Sequence, residues 1–77
     1  MALIKAFEEK RRDRHSIHDA IEATYSTFES DGKKFAQIDT YGRAEREMPG
    51  KTSPTLQFDE KSARALFDIL RDAFGFR

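Results

Sequence analysis

Two groups of residues in this 77-residue chain have types and spacings that could do chemistry, and they point in different directions. His15 and His18 stand three apart with Glu22 four further on, a spacing that would bring imidazoles and a carboxylate together on one side of a helix. A zinc site needs three or four ligands, and nothing else in the sequence completes this one, so surface or strand-edge histidines are the expectation and no metal is. Ser16, His18 and Asp19 supply the residue types of a hydrolytic triad. They are neighbours in the chain, however, whereas a triad converges from separate elements onto one rigid site. Asp59, Glu60 and Asp68 read as helix-capping and solvated carboxylates. No phosphate loop, dinucleotide fingerprint or calcium loop is present. The expectation is a protein without catalytic residues or cofactor.

The second group is aromatic and basic. Phe28, Phe35 and Tyr41 fall in strand-like runs, and Lys33, Lys34, Arg43, Arg46 and Lys51 occupy the adjoining turns. Single-stranded nucleic acid is held by that combination: cations follow the phosphates while bases stack on aromatic faces, each stack contributing roughly 1 to 3 kcal/mol. The same residues have a plainer use, in which the aromatics pack on the N-terminal segment or a partner subunit and the loop charges are simply solvated. Fourteen Lys and Arg balance fourteen Asp and Glu, so no global field draws the chain to nucleic acid or membrane, and any such binding rests on a local patch. Within the loop, Glu45 and Glu47 partly cancel Arg43, Arg46 and Lys51.

The elements that must position these residues follow from length and pattern. At 77 residues, with 38% hydrophobic and 36% charged content, the chain makes one domain, and it has no cysteine to staple it. Oligomerisation is the expected source of extra stability. The first apolar run is too short for a signal peptide or membrane span, and cysteine is absent, which together read as a cytoplasmic protein with no membrane partner. Residues 1–16 read as a docked short helix or an arm, because the apolar stripe Leu3, Ile4, Phe7 stops early.

Asp31-Gly32 between two runs rich in Thr, Tyr, Phe and Ile predicts a hairpin with a two-residue turn. With that turn the register sets Ser30 opposite Lys33, Phe28 opposite Phe35, Ser26 opposite Gln37, Tyr25 opposite Ile38 and Glu22 opposite Tyr41, whereas a three-residue loop with a bulge would shift the pairing by one and break up the Phe28–Phe35 pair. One face carries Ile21, Ala23, Tyr25, Ala36 and Ile38 and is the natural core side; the other carries Glu22, Thr24, Ser26, Phe28, Phe35, Gln37 and Tyr41. After a loop bracketed by Gly42 and Pro49-Gly50, residues 52–58 alternate again, with Pro54, Leu56 and Phe58 on one side. Pro54 puts this strand at an edge or at its own first residues. Asp59 is the expected N-cap, Ala63, Leu66, Phe67, Leu70, Ala73 and Phe74 keep helical spacing, and Gly75 ends the helix.

The predicted domain spans 1–77, with a sheet in 17–58 and a helix in 59–75. It is an α+β fold: an antiparallel sheet of three strands, or four, covered by one C-terminal helix in the order β-β-β-α. The helix's apolar arc is wider than three strands need, which points to a homodimer.

From Phe35 to Phe74 the chain resembles the carboxy-terminal domain of the positive-cofactor-four family of transcriptional coactivators. The residues that carry the resemblance are Ile38, Asp39, Tyr41, Glu47, Met48, Pro49, Gly50, Lys51, Thr55 and Leu56. The loop before Pro49 is shorter than the family's, Thr52 stands where a lysine is usual, Pro54 takes an isoleucine position, and the helix lacks a tryptophan. The resemblance implies a dimer that binds single-stranded DNA and a basic-loop role for Lys51 in transcription regulation; with the aromatic face, the leading expectation is a binder of single-stranded DNA or RNA. Arg43, Arg46, Phe28, Phe35 and Tyr41 come instead from the face assignment above. The chain is also similar to small uncharacterised bacterial and phage proteins sometimes labelled as related to methionyl-tRNA formyltransferase; it is too short for that activity and shows no Asn-His-Asp constellation. The alternative to nucleic-acid binding is a protein-interaction module or small regulatory subunit.

Overall fold

A computed structural model of the chain describes residues 1–41 and 54–77. The fold is α+β, a four-stranded mixed sheet with one C-terminal helix. Its elements are β1 (Ala2–Ile4), β2 (Ala23–Ser30), β3 (Lys33–Thr40), β4 (Thr55–Phe58) and α1 (Glu60–Phe74). Across the sheet the strands run β1-β4-β3-β2.

The β2–β3 hairpin forms because Asp31 and Gly32 both adopt positive φ, 53° and 76°. A two-residue turn of this kind matches the right-handed twist of its flanking strands, and glycine enters that region without steric cost. The observed register runs from Ala23 opposite Thr40 to Ser30 opposite Lys33, and includes the expected pairs Phe28–Phe35, Ser26–Gln37 and Tyr25–Ile38. The strand is shorter than the apolar pattern suggested. Residues 17–22, including Ile21 and Glu22, precede β2 without regular structure.

The N-terminal segment differs from the expected helix or arm. Leu3 and Ile4 belong to β1, which pairs in parallel with β4, matching Ala2 to Leu56 and Ile4 to Phe58. This makes the sheet mixed rather than wholly antiparallel. Three apolar residues in a row fit a strand as well as a helical turn, and only the available sheet edge decides between them. Pro54 lies just before β4, which is an inner strand. Its missing N–H is therefore harmless, while its carbonyl accepts from the Thr40 backbone N–H at 3.4 Å and the Thr40 hydroxyl at 2.9 Å.

Helix α1 starts where β4 ends. The Asp59 carboxylate accepts from the Ser62 N–H at 2.9 Å, and the Ser62 hydroxyl oxygen accepts from the Asp59 N–H at 3.1 Å, a reciprocal capping box. At the far end Gly75 has φ 74°, and both its N–H and that of Phe76 donate to the Arg71 carbonyl. The helix packs on β3 and β4.

The core lies at the strand–helix junction. Among the described residues only Phe58, 5% exposed, and Ser62, 1% exposed, are buried. Phe58 sits beside Ala36 of β3 and Ile4 of β1, and the Phe7 ring stacks on it at 6.3 Å. Ala36, Ile38 and Leu56 on the same face are half-buried, but Ala23 and Tyr25 are exposed because the helix stops short of β2. The expected core face is thus only partly covered.

Phe58→Ala removes the one buried ring and is expected to cost about 3 to 5 kcal/mol, a large share of a small domain's stability. Denaturant unfolding followed by circular dichroism checks this. The cap adds a pH dependence. Hydrogen bonds from Ser62 lower the Asp59 pKa below its ordinary value of 3.8, so its contribution is complete above that value and is lost as pH falls toward the lowered native one. Asp59→Asn keeps a capping oxygen and should flatten the acid limb of a plot of Tm against pH.

Candidate nucleic-acid interface

The sheet face opposite α1 is the candidate site. Alternation from the observed register places Thr24, Ser26, Phe28 and Ser30 of β2 there, with Lys33, Phe35, Gln37 and Asp39 of β3 and Thr55 and Gln57 of β4. Leu3 joins them from β1. No described element covers this face.

Phe28 and Phe35 face each other across the hairpin and their rings stack at 5.3 Å between centroids with an interplanar angle of 18°. The contact follows from the turn, because a register one residue away would send one ring to the other face. Phe28 remains 40% exposed while Phe35 is half-buried. Lys33 lies two residues from Phe35, so its Cα falls on the same face about 7 Å along the strand.

Tyr41 emerges at the opposite end of β3. Its hydroxyl and that of Thr24 are 3.1 Å apart in a hydrogen bond that fixes the ring's tip. Phe28 and Phe35 thus share one face at the hairpin end, as expected, while Tyr41 follows the end of β3, beyond the last pair, Ala23–Thr40, and the expected Glu22–Tyr41 pair does not form part of the ladder. Arg43, Arg46 and Lys51, the proposed basic loop residues, lie outside the described residues, as do Gly42 and Pro49-Gly50.

Between the aromatic ends runs a polar ladder that the sequence reading named only in part. The Gln57 amide donates to Gln37 Oε1 at 2.9 Å, the Gln37 amide donates to both Asp39 oxygens at 3.1 Å, and the Thr55 hydroxyl donates to Asp39 Oδ1 at 2.8 Å. Each member sits at a directly paired or next-but-one position on the same face, so the ladder is a consequence of register. Strict alternation of Gln37, Asp39, Thr55 and Gln57 with apolar residues was the signal that could have found it. A depression of about 300 Å³, lined by Met1, Ala2, Leu3, Gln37, Thr55 and Gln57, opens beside the ladder.

His15 and His18 are exposed in a segment without helical structure, so the helical alignment with Glu22 that their spacing would allow is not formed. Among the described residues no group of three or more His, Cys, Asp or Glu is placed to hold a metal ion. No helix of the described residues is long and apolar enough to cross a membrane.

Neither family models, nor curated proteins, nor solved structures give a match to this chain.

Proposed function

We propose that the open sheet face binds single-stranded nucleic acid, DNA or RNA, as a small non-enzymatic binding protein of the transcription-related kind that the resemblance implies. The observation that carries this reading is the stacked Phe28–Phe35 pair, partly exposed on a polar sheet face that no described element covers. A ring pair in this position offers an extended π surface on which a base can stack, whatever its identity. Lys33 at the hairpin provides a cation on the face of the stack, and the Gln37–Asp39–Thr55–Gln57 ladder offers hydrogen-bonding edges farther along. Tyr41, held by Thr24, gives a second stacking position at the other end. With zero formal net charge the protein has little long-range steering, so affinity on this reading comes from stacking more than from phosphates.

A second reading, a protein-interaction module, is favoured by a separate observation. Phe67, Leu70 and Phe74 form an exposed stripe along α1, extended past the helix end by Phe76, whose ring stacks on Phe74 at 5.4 Å. Arg64 and Arg71 lie over the Phe67 ring at 5.3 and 5.7 Å and give the stripe a charged rim, which suits a mixed apolar and acidic partner surface.

Fluorescence anisotropy with a labelled single-stranded oligonucleotide at low salt separates the two. Binding that weakens about 5- to 150-fold in Phe35→Ala, matching the loss of one stacked base, supports the first reading. Absence of binding by the wild type at micromolar protein contradicts it.

A further inference from the structure

Strand β2 is the outer strand of the sheet on the side away from β1, and its eight residues are all exposed. The direction of its free backbone groups can be worked out. In a two-residue hairpin the residues flanking the turn exchange both hydrogen bonds, so Ser30, Phe28, Ser26 and Thr24 point their N–H and C=O groups toward β3. Ala23, Tyr25, Thr27 and Glu29 therefore point theirs outward. The Thr40 N–H confirms this parity: it donates to Pro54 across the sheet, away from its partner Ala23. Among the described residues, no backbone–backbone bond outside the regular elements reaches this outer edge.

Outer strands in monomeric proteins usually carry a lysine, a proline, a bulge or a cover that prevents pairing with another chain. ATYSTFES carries no lysine, proline or bulge, and no described element covers it; its one charge, Glu29, lies next to the turn, and the pairing with β3 is unbroken from Ala23 to Ser30. Its composition, rich in Thr, Tyr and Phe, favours pairing.

We propose that β2 pairs antiparallel with β2 of a second copy of this chain, joining two four-stranded sheets into one of eight. This goes beyond the nucleic-acid reading and does not rest on it. A two-fold axis normal to the sheet keeps both helices on one side and both Phe28–Phe35 stacks on the other. At about 4.8 Å between strands, the axes of the two helices, each above β3 and β4, then stand about 19 Å apart. Helices about 10 Å wide leave a channel of similar width, floored by Ala23, Tyr25 and Thr27 of both copies. The two Tyr25 rings, each 83% exposed in the single chain, fill it. An eight-residue edge about 27 Å long, with Tyr25 and the half-exposed Ile21, buries about 1,000 Å² in all. That is the lower end of specific interfaces and implies a dimer that dissociates on dilution.

Sedimentation velocity over a range from about 5 to 500 μM tests the pairing. The expected result is a shift from 8.9 kDa toward twice that mass with rising concentration. Thr27→Pro removes an outward N–H that β3 does not use, so the hairpin should survive by circular dichroism while the dimer is lost. Should that variant fail to fold, Thr27→Lys, which sets like charges close together across the axis, is expected to weaken association at least tenfold. A wild type that stays monomeric at 500 μM overturns the proposal, as does a folded Thr27→Pro or Thr27→Lys variant that associates as tightly as the wild type.

Discussion

A single fifteen-residue helix cannot cover a four-stranded sheet. At about 22 Å long and about 10 Å wide, α1 spans two strands, and it lies on β3 and β4. Most of the remaining structure answers to that mismatch. Phe58 is buried because it lies under the helix start and between two neighbouring strands. On the β1 side the gap is narrowed from within the chain, where Phe7 stacks on Phe58. On the β2 side no described element does the same, and Tyr25 stands almost fully exposed on what its alternation marks as the apolar face.

The helix is held at this position by its first turn rather than by a deep core. The Asp59–Ser62 capping box joins β4 directly to the first turn, with Ser62 the most buried residue of the helix. Ser62 is small enough to let the backbones approach, and its hydroxyl is satisfied locally, so burying it carries little penalty. The ion pairs of Asp68 with Arg64 and Arg71 are part-exposed and add little. With so little buried, the two regions that no described element covers matter: the polar face with its aromatic stack, and the outer edge of β2.

What the residues alone revealed divides along the same line. The hairpin, its register and the stacked ring pair were legible because Asp31-Gly32 specifies a two-residue turn, and a two-residue turn leaves one pairing. The helix limits at Asp59 and Gly75 were legible for the same kind of reason, since each residue type suits one backbone conformation. Strand β1 was not. Leu3 and Ile4 have no periodicity long enough to distinguish strand from helix, and a parallel pairing to β4 is a contact more than fifty residues away that local pattern does not encode. The Gln37–Asp39–Thr55–Gln57 ladder was half visible: alternation put its members on one face, but only the β3–β4 register set Asp39 opposite Thr55 and Gln37 opposite Gln57. Arg43, Arg46 and Lys51 fall outside the described residues, so the site's basic half stands on sequence alone.

The central claim is that the sheet is half covered and is completed at β2 by a second copy. Residue-resolved amide hydrogen exchange reads both parts at once, because neighbouring residues of β2 point their N–H groups in opposite directions. At high protein concentration Thr24, Ser26 and Phe28, bonded to β3, and Tyr25, Thr27 and Glu29, bonded to the second copy, should all be protected. On dilution the second set alone should lose protection. Rapid exchange of Tyr25, Thr27 and Glu29 at every concentration, beside slow exchange of their neighbours, would contradict the account.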